Sequence, residues 1–385
     1  MKKVMLLFFI CVLTISCIST ISVSAQTSEV DLAPACKSAY LCDWRSGTPV
    51  YTKDETKHLP IASMCKIMTM QLCFEEIEKG DLSFDEEICV SDRASSMGGS
   101  QVFLEAGGTY KASELIKSIC IASANDSCVA MAERIAGSED VFVAKMNEKA
   151  RALGMNDTVF VNCTGLPKNG QYSCAKDVAI MFGELLRHDA YFNFSKIWME
   201  DFQHDGGRVT QMANTNKLIR NYQGCDSGKT GYTAEAGFCL AASAVRGNMR
   251  VLSVVIGASD SKSRFSGVSA MFDYAFANYE NRLVLEEGAL KDYSCEVSGG
   301  KEKLLSVMID HAIYVFSRKG DDGNIFYEIN FDAVRAPVVR GDNVGIVHVY
   351  KDNIEICSAA VLANEDVSKS SYFDSLKELA ENWNY

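Results

Sequence analysis

The strongest constraint on this chain is a change of hydrophobic period. Two strand-like stretches, residues 36–52 and 209–258, enclose a long run whose apolar residues recur at helical spacing. In the first stretch, Ala39-Tyr40-Leu41-Cys42 is followed by the turn residues Arg45-Ser46-Gly47 and then by Val50-Tyr51-Thr52. After Pro60, the side chains Met64, Ile67, Met68, Leu72 and Ile77 fall on one helical stripe that stops at Lys79-Gly80. Residues 81–200 read as mostly helical. One apolar helix opens at Ser113, and others run from Ser127 to Ile135, Asp140 to Leu153 and Asp177 to Leu186. Strand patterns return at Gly237 to Ala241 and Arg250 to Ile256, with Gly247-Asn248 as the hairpin turn between them. Ser266 to Tyr279 then reads as a helix. Strands grouped at both ends of a helical cluster predict an α+β fold.

Near residue 285 the pattern changes again. Short apolar runs (Leu304 to Met308, Ala312 to Phe316, Ile325 to Phe331, Val344 to Tyr350, Ile354 to Leu362) alternate with turns such as Gly320-Asp321-Asp322-Gly323. That spacing predicts a small all-β sandwich over residues 285–368. A chain of 385 residues is long enough for more than one core.

Residues 1–25 have the layout of a secretory signal peptide: Lys2 and Lys3, a long apolar run, and the small residues Val23-Ser24-Ala25 at the cleavage site. A retained N-terminal anchor is the alternative. The expected location is across the cytoplasmic membrane, on the cell-wall side. Losing the two lysines takes the net charge from −12 to −14, which disfavours nucleic acid as a partner. Two of the 15 cysteines lie in this leader, leaving 13; no C-x-x-C pair occurs, and Cys73, Cys120 and Cys128 sit in apolar helical runs, as buried free thiols do.

Three short elements can carry chemistry. In Ser63-Met64-Cys65-Lys66, at the start of the first long helix, Ser63 and Lys66 share a face. A lysine whose pKa is lowered by burial can deprotonate a serine hydroxyl, and the helix start offers free backbone N–H groups to an oxyanion. Ser123-Ala124-Asn125 lies in a loop between helices and offers a proton relay and an amide. Lys229-Thr230-Gly231 opens a strand, where a cation and a hydroxyl can bind a carboxylate and glycine admits a substrate backbone. Taken singly, these are a snorkelling lysine, a helix cap and a chance tripeptide. Together and in this order they form the S-x-x-K, S-x-N, K-T-G set of penicillin-binding proteins and serine β-lactamases.

The chain further resembles the low-molecular-weight penicillin-binding proteins of the serine-type D-alanyl-D-alanine carboxypeptidase family. Pro60 to Lys66 is similar to its P-x-A-S-x-T-K, with Cys65 in place of Thr; Phe160 to Leu166 resembles its T-x-F-x-N-x-x-G-L segment, and Lys229 to Gly237 its K-T-G-x-T-x-x-A-G. The resemblance implies a D,D-peptidase domain over residues 30–280, with a five-stranded antiparallel sheet, an inserted helical cluster and the active site between them. It makes Ser63 the acylated nucleophile and Lys66 its base. Ser123 and Asn125 assist, Lys229 and Thr230 receive the substrate's terminal carboxylate, supported by Arg264, and Gly231 and Tyr232 line the substrate. The N–H groups of Ser63 and Tyr232 form the oxyanion hole. The implied substrate is the peptidoglycan stem peptide, with β-lactams as covalent inhibitors and no metal or cofactor.

A class A β-lactamase would need a deacylating Glu in an E-x-x-L-N segment, which is not found; Glu184-Leu185-Leu186-Arg187-His188 is the nearest. An endopeptidase, or a non-catalytic penicillin sensor or wall-binding protein, would share these residues. None of the five histidines (His58, His188, His204, His311, His348) lies in a hydrolase or zinc motif, so most read as surface residues, and Gly98-Gly99 and Gly107-Gly108 read as turns. Residues 371–385 place Tyr372, Phe373, Leu376, Leu379, Ala380 and Trp383 at helical spacing. This tail is a candidate amphipathic helix for peripheral membrane contact or for packing on protein, but it lacks a basic face.

Overall fold

The structure is a computed structural model that describes residues 30–374 and Leu376. The expected leader and most of the expected tail helix lie outside the described residues.

Five strands form the central sheet: β1 (Ser38–Asp43), β2 (Pro49–Lys53), β3 (Cys225–Thr233), β4 (Gly237–Arg246) and β5 (Met249–Ala258). Their order is β2-β1-β5-β4-β3 and every pairing is antiparallel. Strand β5 is apolar along most of its length, Arg250 and Ser253 excepted, because both faces are covered. Its even residues Leu252, Val254 and Ile256 pack into the helical cluster, and its odd residues Val251 and Val255 pack against a C-terminal helix. The fold is therefore α+β, as the period change predicts.

The inserted cluster contains α1 (Lys66–Lys79), α2 (Ala112–Ile121), α3 (Asn125–Ala136), α4 (Glu139–Ala152) and α5 (Ala175–Leu185). Gly80 and Gly137 close α1 and α3 in the left-handed conformation that glycine adopts at little cost. Helix α4 starts where the Ser138 hydroxyl accepts from the Val141 N–H. Helix α6 (Ser261–Asn278) covers the opposite face of the sheet. It begins five residues before the expected Ser266, because Asp260 caps it by accepting from the Ser263 N–H, a cap that an apolar stripe does not reveal.

A small hairpin, Glu87–Cys89 with Thr109–Lys111, interrupts the expected helical region, and a second, Met199–Gln203 with Val209–Ala213, follows its end. From Tyr279 to Ala363 the elements are all β-strands. A six-stranded sheet and the pair Tyr279–Leu285 with Ile313–Arg318 enclose one core that includes Leu285, Leu305, Val307, Val315, Val347 and Val361. Strand Gly288–Ser298 escapes the pattern because its pairing with Leu304–Ile309 is interrupted between Ala289 and Ser294. No helix among the described residues is long and apolar enough to cross a membrane. All 13 described cysteines are free thiols, and 11 of them are buried.

Candidate active site

Ser63 sits in a 3₁₀ turn, Ala62–Cys65, that runs directly into α1. This tight turn still brings residues i and i+3 onto one side. The Lys66 Nζ donates to the Ser63 Oγ at 3.0 Å and to the Thr164 carbonyl at 2.5 Å. Ala62 is held at φ +48°, a strained value for a residue with a side chain. Two glycines let neighbouring backbone approach the turn closely. A Cβ on Gly165 would lie 2.0 Å from the Ala62 oxygen, and one on Gly231 would lie 2.6 Å from the Ile61 oxygen and 3.2 Å from the Ser63 nitrogen. Gly231 therefore brings the edge strand β3 against the Ser63 N–H, which puts the expected oxyanion donors, Ser63 and Tyr232, on adjoining backbone.

The loop that supplies Thr164 is held by Asn162, whose Oδ1 accepts from the Gly165 N–H at 2.7 Å and whose Nδ2 donates to the Leu166 carbonyl at 2.8 Å. The Thr69 hydroxyl and the Cys65 thiol donate to the carbonyls of Cys163 and Asn162. Cys65 thus donates a hydrogen bond as the threonine usual at this place would, so the departure from the motif removes no donor.

Opposite Ser63, the Lys229 Nζ donates to the Ser123 Oγ at 2.8 Å and to the Thr230 carbonyl at 3.1 Å. Ser123 also has a positive φ, +63°. Asn125 is anchored at both ends of the residue: its N–H donates to the Ser100 carbonyl and its Nδ2 to the Gly98 carbonyl, each at 2.7 Å. Its Oδ1 is buried without a partner among the described residues, an acceptor left over for a substrate amide. Gly98-Gly99, read from sequence as a turn, therefore also positions Asn125. A Cβ on Gly99 would come within 2.9 Å of the Asn125 Nδ2. Asp126 clamps this loop by accepting from the N–H groups of Val102 and Leu104.

Arg264 reaches from α6 to the carbonyls of Gly231 and Cys239 at 3.2 and 3.3 Å. It braces β3 from behind. Lys66 and Lys229 are wholly shielded from solvent, whereas Ser63 is partly open and Tyr232 stands well exposed. Burial, reinforced by the neighbouring Lys66 ammonium, pushes Lys229 down to about 7. Burial likewise lowers Lys66. The residues singled out from sequence thus converge on one crevice, with Arg264 one layer behind it. Three of the five histidines reach the surface, as expected for most of them, and two are buried. His188 and His204 are each only 6% exposed, and they pair with Glu78 and with Tyr110 and Thr210 away from the serine.

Two serine–lysine pairs meeting beside the edge strand of an antiparallel sheet mark a class, the active-site-serine penicillin-binding proteins and β-lactamases. Comparison with known proteins narrows it. Residues 23–260 match the D-alanyl-D-alanine carboxypeptidase family, and residues 279–369 match the C-terminal domain of penicillin-binding protein 5. The chain is 40% identical over 360 residues to the D-alanyl-D-alanine carboxypeptidase DacF of Bacillus subtilis, covering 93% of this chain and 92% of that one. It is 29% identical to DacA of Escherichia coli over 90% and 88% of the two chains. Among solved structures it resembles PBP3 of Streptococcus pneumoniae (TM-score 0.73, 27% identity, 87% of this chain and 99% of that one). It also resembles penicillin-binding protein 5 of Haemophilus influenzae (TM-score 0.70, 25% identity, 89% and 100%). The chain belongs to the D-alanyl-D-alanine carboxypeptidase family.

Proposed function

We propose that this protein is a serine D,D-carboxypeptidase that removes the terminal D-alanine of peptidoglycan stem pentapeptides. The observation that carries this is the buried Lys66 ammonium 3.0 Å from the Ser63 hydroxyl. In its neutral form Lys66 takes the Ser63 proton, and Oγ bonds to the carbonyl carbon of the penultimate D-alanine. The N–H groups of Ser63 and Tyr232 hold the oxyanion. The C–N bond then breaks, and D-alanine leaves as an amine that takes a proton passed through Ser123. Water hydrolyses the ester and restores Ser63. Asn125 holds the peptide, Thr230 meets the terminal carboxylate with Lys229 charged behind it, and Arg264 stiffens the strand at Gly231. β-Lactams acylate the same serine.

The same reading takes residues 30–280 as the catalytic domain and residues 285–368 as a spacer or partner platform. The protein would be exported by its leader to the wall side of the membrane, with the tail making peripheral membrane contact. The deciding measurement is D-alanine release from a D-Ala-D-Ala pentapeptide, run beside β-lactam hydrolysis. Sustained peptide turnover with slow drug turnover is expected. Labelling by penicillin without any D-alanine release would favour the sensor reading, and rapid drug hydrolysis the β-lactamase.

The two lysines also set the pH dependence. Lys229 holds its proton below about pH 7 and loses it above, and only the protonated form attracts a carboxylate. The KM for the pentapeptide should therefore rise above pH 7, approaching about tenfold per unit. Lys66 must be neutral to act as a base, so kcat should fall as the solution is made acidic. A KM that stays flat from pH 6 to 9 would remove Lys229 from carboxylate recognition.

A further inference from the structure

The second domain holds a recess of about 760 Å³ to which the chemistry above assigns no role. That volume is ordinary for a ligand cleft. Three strands and a turn make it. The strand Tyr279–Leu285 contributes Arg282 and Leu283, and the edge strand Ile325–Phe331 contributes Tyr327. Tyr293 comes from the stretch of Gly288–Ser298 where pairing with Leu304–Ile309 is interrupted, and it stands 37% exposed. The turn before Ile325 adds Asp322 and Asn324.

The polar groups are held in place but not used up. The Arg282 Nη1 donates to the Asp321 carbonyl at 2.8 Å, which fixes the guanidinium; its other N–H groups meet no acceptor among the described residues. The turn is locked from below. The Asp321 Oδ1 accepts from the Gly323 N–H at 3.0 Å and its Oδ2 pairs with Lys351, while the Asp352 Oδ1 accepts from the Asn324 N–H at 3.0 Å. A Cβ on Gly323 would come within 2.7 Å of Lys351 and 2.9 Å of Asp352, so only glycine fits this turn. The side chains of Asp322 and Asn324 make no hydrogen bond among the described residues. The Tyr293 hydroxyl donates to that of Tyr327 at 3.4 Å, which leaves the Tyr327 O–H without an acceptor among the described residues. The two rings lie 6.2 Å apart and tilted by 54°, so they form two walls at an angle.

This inventory selects a class of ligand. One guanidinium and one carboxylate balance, so the recess has no net charge to attract a phosphate or a polyanion. A guanidinium, a carboxylate and an amide each hold two polar atoms in one plane, a spacing that brackets adjacent hydroxyls or an acetamido group. The phenol rings, with Leu283 46% exposed beside them, give apolar surface to the C–H face of a sugar ring. An uncharged ring with a C–H face and a polar rim fits that lining. The stem peptides assigned to Ser63 are carried on a strand of such rings, and the choice of this glycan rests on the carboxypeptidase reading.

We propose that the recess binds the N-acetylated glycan strand of the wall polymer and holds the enzyme on that strand while Ser63 acts on its stem peptides. A second grip on one molecule makes capture of the next peptide effectively intramolecular.

The probe is a peptide-free hexamer of β-1,4-linked N-acetylglucosamine, titrated calorimetrically into the full chain. The wild type should bind it saturably. Tyr293→Ala and Asn324→Ala, both at exposed positions, should each weaken binding about tenfold, or roughly 1.4 kcal/mol. Both residues lie outside the machinery at Ser63, so D-alanine release from a free pentapeptide should stay within about twofold of wild type. For the same pentapeptide borne on glycan strands, KM should rise by about the factor lost in binding; an unchanged KM there would overturn the tether. No saturable binding by the wild type, or two variants that bind like it, would overturn the site itself. So would displacement of the hexamer by a free stem pentapeptide, which would give the recess to a peptide. Glycan binding without D-alanine release from any substrate would sink the carboxypeptidase reading and leave the recess standing.

Discussion

Ser63→Ala should release no D-alanine and take no covalent penicillin label, with a loss in turnover of about 10⁶-fold, the size seen when the nucleophile of a catalytic unit is removed. The fold should survive. Ser63 is half-buried, its turn packs against the backbone of Gly165 and Gly231, and its side-chain oxygen hydrogen-bonds only Lys66 among the described residues. Circular dichroism and the thermal midpoint should be near those of the wild type, so the loss can be read as chemistry. Mass spectrometry after incubation with benzylpenicillin gives the answer directly: an adduct on the substituted protein would place the reactive hydroxyl elsewhere and dismantle the mechanism.

Lys66→Ala should slow acylation by about 10³–10⁴-fold, the upper range for a positioned base. Lys66→Arg should not restore it, because guanidinium stays charged at any working pH and cannot accept the Ser63 proton. A merely structural cation would be at least partly replaced by arginine, so the pair of substitutions separates the two roles. Lys66 is fully buried and also holds the Thr164 carbonyl. The alanine variant therefore leaves a buried acceptor unmet and should lose about 1–3 kcal/mol of stability. Stopped-flow acylation measured below the lowered thermal midpoint keeps this apart from the rate. Acylation within tenfold of wild type would remove Lys66 as the base.

The parts of this site legible in sequence are those built from side chains at short, regular spacing. Ser63 and Lys66 are neighbours on any helical turn, and Lys229 lies at the start of a recognisable strand. The contacts that sequence does not disclose run through backbone. The Thr164 carbonyl meets Lys66 across 98 residues of chain, and the Gly98 carbonyl meets the Asn125 amide across 27. A carbonyl has no residue type to recognise, so only the fold reveals it. The fold shows the same division. The mostly apolar β5 and the stripe of α1 are plain, whereas the Asp260 cap and the interruption in Gly288–Ser298 are local geometry that overrides periodicity. The burial of His188 and His204 is hidden for a related reason: each is paired through a ring nitrogen with a partner distant in the chain.

Strand β3 closes one side of its sheet, yet seven of its nine residues, Cys225 through Gly231, are buried. An exposed strand of this length would invite other molecules to pair with it and grow into aggregates. Here most of that length is sunk against the turn at Ser63 and the neighbouring helices, and only Tyr232 and Thr233 reach the surface. The burial that shapes the crevice around Ser63 therefore also shields the strand that would otherwise be the sheet's most adhesive margin.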